Sequence, residues 1–407
     1  MVTRYRARWI VSMDGPPLTD GSIAIDGQLI QAIDQARRSG EIDLGDVILL
    51  PGFINVHTHL DLTDAAECQP KGADNPEGFP AWLERVVAFR RKQSLAQQQA
   101  AVETGLTYSL QAGVTTLGDI LTQPSLWSLL VSSPLRGVAF RELLGLTPDR
   151  AADAITELND WLALQKEGRW HRGLSPHAPY SVRRELFVAA MTAAERRGCP
   201  LAIHLAESRA EAELLAQHQG PLVPFLERRG VWDPSGLIGS WEELLQMVPA
   251  EQRILWIHVN YLSPRCLSAR QTIVHCPRTH AAFGHDPFPL ESWQHKGVRV
   301  CLATDGLASN PDLNLLEEAR WVYRHYPNLT ADRVISMITR EAAAAIGWEK
   351  WVGTLTPGKL ADLVVIPWPS GVPLATDPCV AILEGSVSVQ AVMIDGQWIL
   401  PPAPQNG

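Results

Sequence analysis

Pro51-Gly52-Phe53-Ile54-Asn55-Val56-His57-Thr58-His59-Leu60-Asp61 decides how the chain reads. A Pro-Gly turn signal precedes a short apolar run, and two histidines follow at i and i+2. The flanking turn residues and the run from Phe53 to Val56 favour a strand over a helix. Residues two apart on a strand project to one face. His57 and His59 are therefore expected to aim at one metal ion. Taken alone, the pair serves equally well as two polar residues at a strand end, and the rest of the chain decides.

Working outward, short apolar runs alternate with helical stretches from Pro51 to Ile346, the pattern of parallel βα units. Eight strands are expected: Phe53 to His59, Val114 to Asp119, Gly137 to Glu142, Gly173 to His177, Leu201 to Leu205, Ile254 to His258, Thr272 to His275 and Val298 to Thr304. Helices are expected between most of them, among them Phe79 to Ala112 and Arg183 to Arg197. The fold class is α/β, a (β/α)₈ barrel over residues 51–349, with its site at the C-terminal strand ends. The two ends of the chain differ from this middle. Ser22 to Ile25 leads through Asp26-Gly27 into Gln28 to Ile33, and Gln390 to Ile394 leads through Asp395-Gly396 into Gln397 to Leu400. Both are hairpin signals. Residues 1–50 and 350–407 are expected to build one composite β-sandwich domain.

The polar residues fall at the expected strand ends: His57 and His59, His177, His204 with Glu207, His258, His275, and Asp305. Convergence on one barrel mouth is hard to explain as structure alone. His57, His59, His204 and Asp305 supply three imidazoles and one carboxylate, a set suited to zinc and also to iron or manganese. Such an ion makes a bound water acidic near neutral pH. Many barrel hydrolases hold two metals bridged by a carboxylated lysine on strand four. This chain has no lysine between Lys166 and Lys296, so one divalent ion is expected. Glu207 is placed to move a proton from water to a substrate ring nitrogen. His258 is placed to orient the water or stabilise developing charge, and Asp305 to pass a second proton to the leaving group. His177 and Glu142 are candidate substrate contacts. His275 is left open between site and structure. His171, His218, His285, His295 and His325 are expected at the surface.

Composition narrows the partners. The 407 residues suffice for a barrel and a smaller domain, and the formal net charge of −9 disfavours nucleic acid. No apolar run is long enough to span a membrane. Met1 to Ile10 lacks the apolar core of a secretory signal. The six cysteines form no C-x-x-C pair, which suits reduced thiols in a cytoplasmic protein. The fourteen tryptophans are read as packing residues.

These residues resemble the amidohydrolase superfamily, in its mononuclear deaminase branch, along nearly the whole chain. The resemblance runs through Pro51 to Leu60, Gly113-Val114-Thr115-Thr116, Ser175 to Ser181, His204-Leu205-Ala206-Glu207-Ser208, Val274-His275-Cys276-Pro277, Thr304 to Asn310 and Gly353 to Leu363. The similar enzymes are cytosine, guanine, methylthioadenosine and adenosylhomocysteine deaminases and the triazine hydrolases. Shorter segments, His59 to Thr63, Phe79 to Leu83, Phe140-Arg141-Glu142 and Glu207 to Glu211, resemble aminodeoxyfutalosine deaminases of menaquinone biosynthesis. The resemblance implies hydrolytic deamination of a small heterocyclic substrate by metal-activated water, in an oligomer such as a dimer. The alternative is displacement of halide or an alkylamine from a triazine by the same site. Thr279-His280 stands where relatives carry Ser-Asn, and Asp61 where they often carry Glu. The His280 departure is expected to alter the pocket wall, and so the choice of substrate.

Overall fold

The Pro51-Gly52 step separates two sheets. A Cβ on Gly52 would sit 2.3 Å from both Cγ2 and Oγ1 of Thr115, so only glycine lets the chain turn from one sheet into the other here. The computed structural model describes residues 2–70, 78–164, 168–249, 251–269 and 271–402.

Beyond Gly52 an eight-stranded parallel sheet runs in sequence order. Its strands are Phe53–Thr58, Val114–Leu121, Arg136–Leu143, Trp170–Pro176, Leu201–Leu205, Ile254–His258, Thr272–His275 and Arg299–Leu302. They are buried on both faces almost throughout, as expected for strands covered by helices. The eighth is shorter than expected at both ends. After Leu302 the chain leaves the ladder and returns to the first strand through a bridge between Thr58 and Asp305. The Asn55 side chain completes that seam. Its Nδ2 donates to Thr304 Oγ1 at 2.8 Å, and its Oδ1 accepts from Thr304 N at 3.3 Å. A side-chain amide thus replaces a missing rung of the ladder.

The helix expected over Phe79 to Ala112 is two helices, Gly78–Lys92 and Leu95–Gln111. Ser94 breaks it. Its hydroxyl accepts from Gln97 N, and Gln97 Oε1 accepts from Ser94 N at 2.8 Å, a capping box that starts a new helix. The expected second helix is present as Arg184–Arg197, ending at Gly198 in the left-handed conformation.

The two chain ends share a second, mostly antiparallel sheet. It takes Val2–Ile10, Leu18–Asp26, Leu29–Asp34, Ile42–Asp43 and Val47–Pro51 from one end, and Leu363–Pro367, Ala391–Ile394 and Gln397–Leu400 from the other. Asp395 and Gly396 both have positive φ, as a two-residue hairpin turn of the right twist requires. A buried ion cluster fastens this sheet to the barrel. Arg136 of the third barrel strand donates to Asp362 at 2.7 and 2.8 Å and to Asp395 at 2.6 Å. The six cysteines are all free. Trp170, Trp256 and Trp293 are among the largest fully buried side chains, in keeping with a packing role. Among the described residues no helix is long and apolar enough to cross a membrane.

Candidate active site and metal centre

Strand ends bring the histidines together. The rings of His57 and His59 lie 4.9 Å apart, those of His57 and His204 5.0 Å, and those of His204 and His258 5.4 Å. Asp305 Oδ1 faces His57 Nε2 at 3.4 Å and His59 Nε2 at 3.5 Å. Its other oxygen, Oδ2, accepts from Ser309 Oγ at 2.7 Å, which holds Oδ1 toward the histidines. His204 Nδ1 donates to the His177 carbonyl at 3.2 Å and so leaves Nε2 free. The fixed tautomer is what a metal-ligating histidine needs.

The chemistry of this set fits one divalent cation. Burial, followed by the neighbouring histidines, holds His59 and His204 well below the usual imidazole range, so both stay neutral with a lone pair available. Burial alone would push Asp305 up, but the close approach of the His57 ring, and then of the His59 and His258 rings, outweighs it and holds the carboxyl below its ordinary range. Both His57 ring nitrogens and His59 Nδ1 are buried with no hydrogen-bond partner. Unpartnered buried nitrogens are costly unless an ion or water completes them. Two overlapping triads, His57-His59-Asp305 and His57-His204-His258, each have ligand atoms within 4.8 Å of one another.

Backbone strain marks the same strand ends. Ala206, His258, Val259 and Asp305 all have positive φ. For non-glycine residues, and above all for a β-branched valine, that conformation costs about 1–3 kcal/mol. The strain turns His258 and Asp305 off their strands and into the site.

Glu207 Oε1 lies 3.4 Å from His258 Nε2 beside the histidine cluster. Burial, then the negative charges of Asp305 and Glu211, push Glu207 well above the ordinary carboxylate range. Burial pulls His258 down to about 3, so it is neutral near pH 7. His177 donates from Nδ1 to Ser181 Oγ at 2.7 Å while that hydroxyl donates to Ala178 O, which leaves His177 Nε2 toward the cavity.

These groups line a cavity of about 50 Å³ together with Trp82, Leu83, Val86, Arg90, Glu142 and Tyr180. A second chamber of about 280 Å³ adjoins it and shares Leu83, Val86, Arg90, Glu142, His177 and Tyr180 as lining. Its further walls are apolar, with Leu146, Phe225, Leu226 and Val231, and it carries Arg91, Arg150 and Arg229 in addition to Arg90. At the junction Arg90 pairs with Asp61 at 3.1 Å and approaches Glu142 at 4.0 Å.

Several of these residues escaped the reading of the sequence. Arg90, Tyr180 and Trp82 come from a helix and a loop that only the folded chain brings over the barrel. Asp61 is buried and anchors Arg90. His285 is corrected from surface to half-buried. Its Nδ1 meets Tyr261 Oη at 2.9 Å, and its ring lies 5.3 Å from His280. His280 lines neither chamber; it stands beside His275, which stacks on Phe288 at 3.9 Å. His171 is half-buried against Trp348. His218, His295 and His325 are exposed as expected.

Comparison with known proteins agrees with this architecture. The chain is 27% identical over 379 residues to the 5-methylthioadenosine/S-adenosylhomocysteine deaminase of Moorella thermoacetica, covering 88% of this chain and 83% of that protein. It is 30% identical over 377 residues to the aminodeoxyfutalosine deaminase of Deinococcus radiodurans, with 84% of each covered. The crystal structure of Helicobacter pylori aminofutalosine deaminase with methylthio-coformycin superposes with a TM-score of 0.84 at 22% identity, covering 98% of this chain and all of that one. A zinc complex of atrazine chlorohydrolase from Arthrobacter aurescens superposes at 0.77 and 21% identity, covering 98% and 95%. The amidohydrolase family pattern matches residues 48–399. The chain belongs to the amidohydrolase family and is a hydrolase acting on carbon–nitrogen bonds other than peptide bonds.

Proposed function

We propose that the protein deaminates an adenine-type nucleoside using one divalent metal ion, and that its substrate is aminodeoxyfutalosine, a deoxyadenosine extended at its 5′ end by an aromatic acid. One observation carries the reading. The imidazole–carboxylate cluster, with Glu207 and His258 beside it, opens into a larger apolar chamber bearing four arginines.

His57, His59, His204 and Asp305 would hold the ion, zinc by preference. When bound, it supplies a water that ionises near neutral pH. Glu207 would accept a proton and deliver it to the ring nitrogen beside the amino-bearing carbon. Its raised pKa favours holding the proton until it is delivered. Neutral His258 donates a hydrogen bond to the attacking oxygen and holds it in line. Asp305 carries the second proton to the leaving amine, and ammonia departs from a hypoxanthine-type product. His177 Nε2 meets the ring from the opposite wall.

The first cavity is too small for a whole nucleoside, so the sugar lies at the junction, where Glu142 accepts from a hydroxyl. The 5′ extension occupies the second chamber. Its apolar walls suit an aryl group, and its arginines suit a carboxylate.

The test is Glu207→Gln, followed by single-turnover ammonia release and metal analysis. Turnover is expected to fall by about 10²–10⁴ with metal content unchanged. Near-native turnover with metal bound would remove Glu207 from the reaction and sink the assignment.

A further inference from the structure

Glu211 is wholly buried on the first turn of helix Arg209–Gln217 and does no chemistry in the scheme above. The helix begins at Ser208, whose Oγ accepts from Glu211 N at 3.2 Å. In an ordinary capping box, a glutamate in this place would return its side chain to the amide of the capping serine. Here it reaches further back. Oε1 accepts from Ala206 N at 3.0 Å, and Oε2 accepts from Glu207 N at 3.2 Å. Trp241 Nε1 donates to Oε1 at 2.7 Å. Both amides belong to the turn that strand five makes after Leu205. Ala206 is held at a φ of 52°, a conformation that alanine adopts only under constraint.

We propose that Glu211 is a positioning residue whose carboxylate clamps the Ala206–Glu207 amides and so directs the Glu207 side chain at the reacting atoms. Three observations support it. The clamp spans both amides of the strained turn, and it is the Glu207 amide itself that Oε2 holds. The opposite side of the same turn is tied down too, because Asn260 Nδ2 donates to Glu207 O at 3.0 Å and Tyr261 N to Ala206 O at 3.1 Å. Finally, among the described residues no arginine or lysine pairs with Glu211. Burial pushes its carboxyl up to about 7, and the amide and indole donors only partly offset this. A buried carboxylate without a cation destabilises a fold. Breaches of that kind are expected where function requires them. The inference rests on the role of Glu207 proposed above.

The experiment is a double-mutant cycle of Glu211→Gln with Glu207→Gln, read by single-turnover ammonia release, KM, metal content and thermal melting. The amide of Glu211→Gln keeps one acceptor but must present a donor to one of the clamped donors. In the otherwise native enzyme, kcat is expected to fall about 10- to 100-fold, with KM within about threefold and metal content unchanged. In the Glu207→Gln background, the same change is expected to have no further effect. Equal losses in both backgrounds would mean that Glu211 is merely structural and would overturn the proposal. Full turnover by Glu207→Gln alone would instead overturn the reading on which the proposal rests. Should Glu211→Gln fail to fold, Trp241→Phe removes one donor to the clamp. It is expected to lower kcat about two- to fivefold in the native background only, and a loss repeated in the Glu207→Gln background would overturn the proposal.

Discussion

Asp305 donates its backbone N–H to the His57 carbonyl at 3.2 Å and faces the His57 ring with Oδ1 at 3.4 Å. One residue pair therefore closes the barrel and joins two candidate metal ligands. Asp305→Asn keeps the size of the side chain and removes the charge. It is expected to lower metal affinity at least tenfold while the far-ultraviolet circular dichroism stays native. Metal analysis after dialysis checks this. Retention of a full equivalent would place the ion elsewhere.

The second chamber predicts selectivity. Removing a charge-assisted hydrogen bond from a ligand carboxylate weakens binding by about 1.5–3 kcal/mol. Arg150→Leu or Arg229→Leu should raise KM for aminodeoxyfutalosine roughly tenfold or more. The same changes should leave KM for methylthioadenosine, which has no carboxylate, within about twofold. Equal effects on both substrates would show that these arginines do not read the 5′ end.

His280 and His285 contribute to an acid limit. Burial, the largest influence on each, holds His280 down to about 4 and His285 to about 3. Their unfolded values are near 6.5. Between about pH 6.5 and 4 the unfolded chain binds protons that the folded chain refuses. Stability is therefore full above pH 6.5 and falls with decreasing pH by up to about 1.4 kcal/mol per unit for each such group. His280→Phe should flatten that slope in urea titrations between pH 6.5 and 4.5. An unchanged slope would assign the acid sensitivity to other groups.

Arg136 is the fastening between the terminal sheet and the barrel. Arg136→Met leaves Asp362 and Asp395 buried without it. Breaking a buried pair from one side costs about 3–5 kcal/mol. A large drop in melting temperature is expected, and a drop of only a degree or two would show that the remaining contacts, among them the Arg169–Asp395 pair, hold the two sheets together.

The strand pattern was the most legible part of the chain. Leu201–Leu205, Ile254–His258 and Thr272–His275 lie where the apolar runs put them, because strands buried on both faces leave continuous hydrophobic stretches. The cluster of His57, His59, His204 and Asp305 was legible for a related reason: each sits at the polar end of such a run. Arg90, Asp61 and Tyr180 were not legible, since their roles arise only when a helix and loops converge over the barrel mouth. Glu211 is marked in the sequence only by the Ser208-x-x-Glu211 capping signal, which does not show that its side chain reaches back to the Ala206 and Glu207 amides. The half-burial of His285 is not legible in the sequence, because a loop histidine carries no local mark of the aromatic cluster around it.

The most direct measurement is ammonia release by the zinc-loaded protein against aminodeoxyfutalosine, methylthioadenosine, adenosylhomocysteine, adenosine, guanine, cytosine and a chlorotriazine. Selective release from aminodeoxyfutalosine, abolished in Glu207→Gln, is the predicted result. Chloride release from the triazine without ammonia from any nucleoside, by protein carrying its metal, would contradict the account.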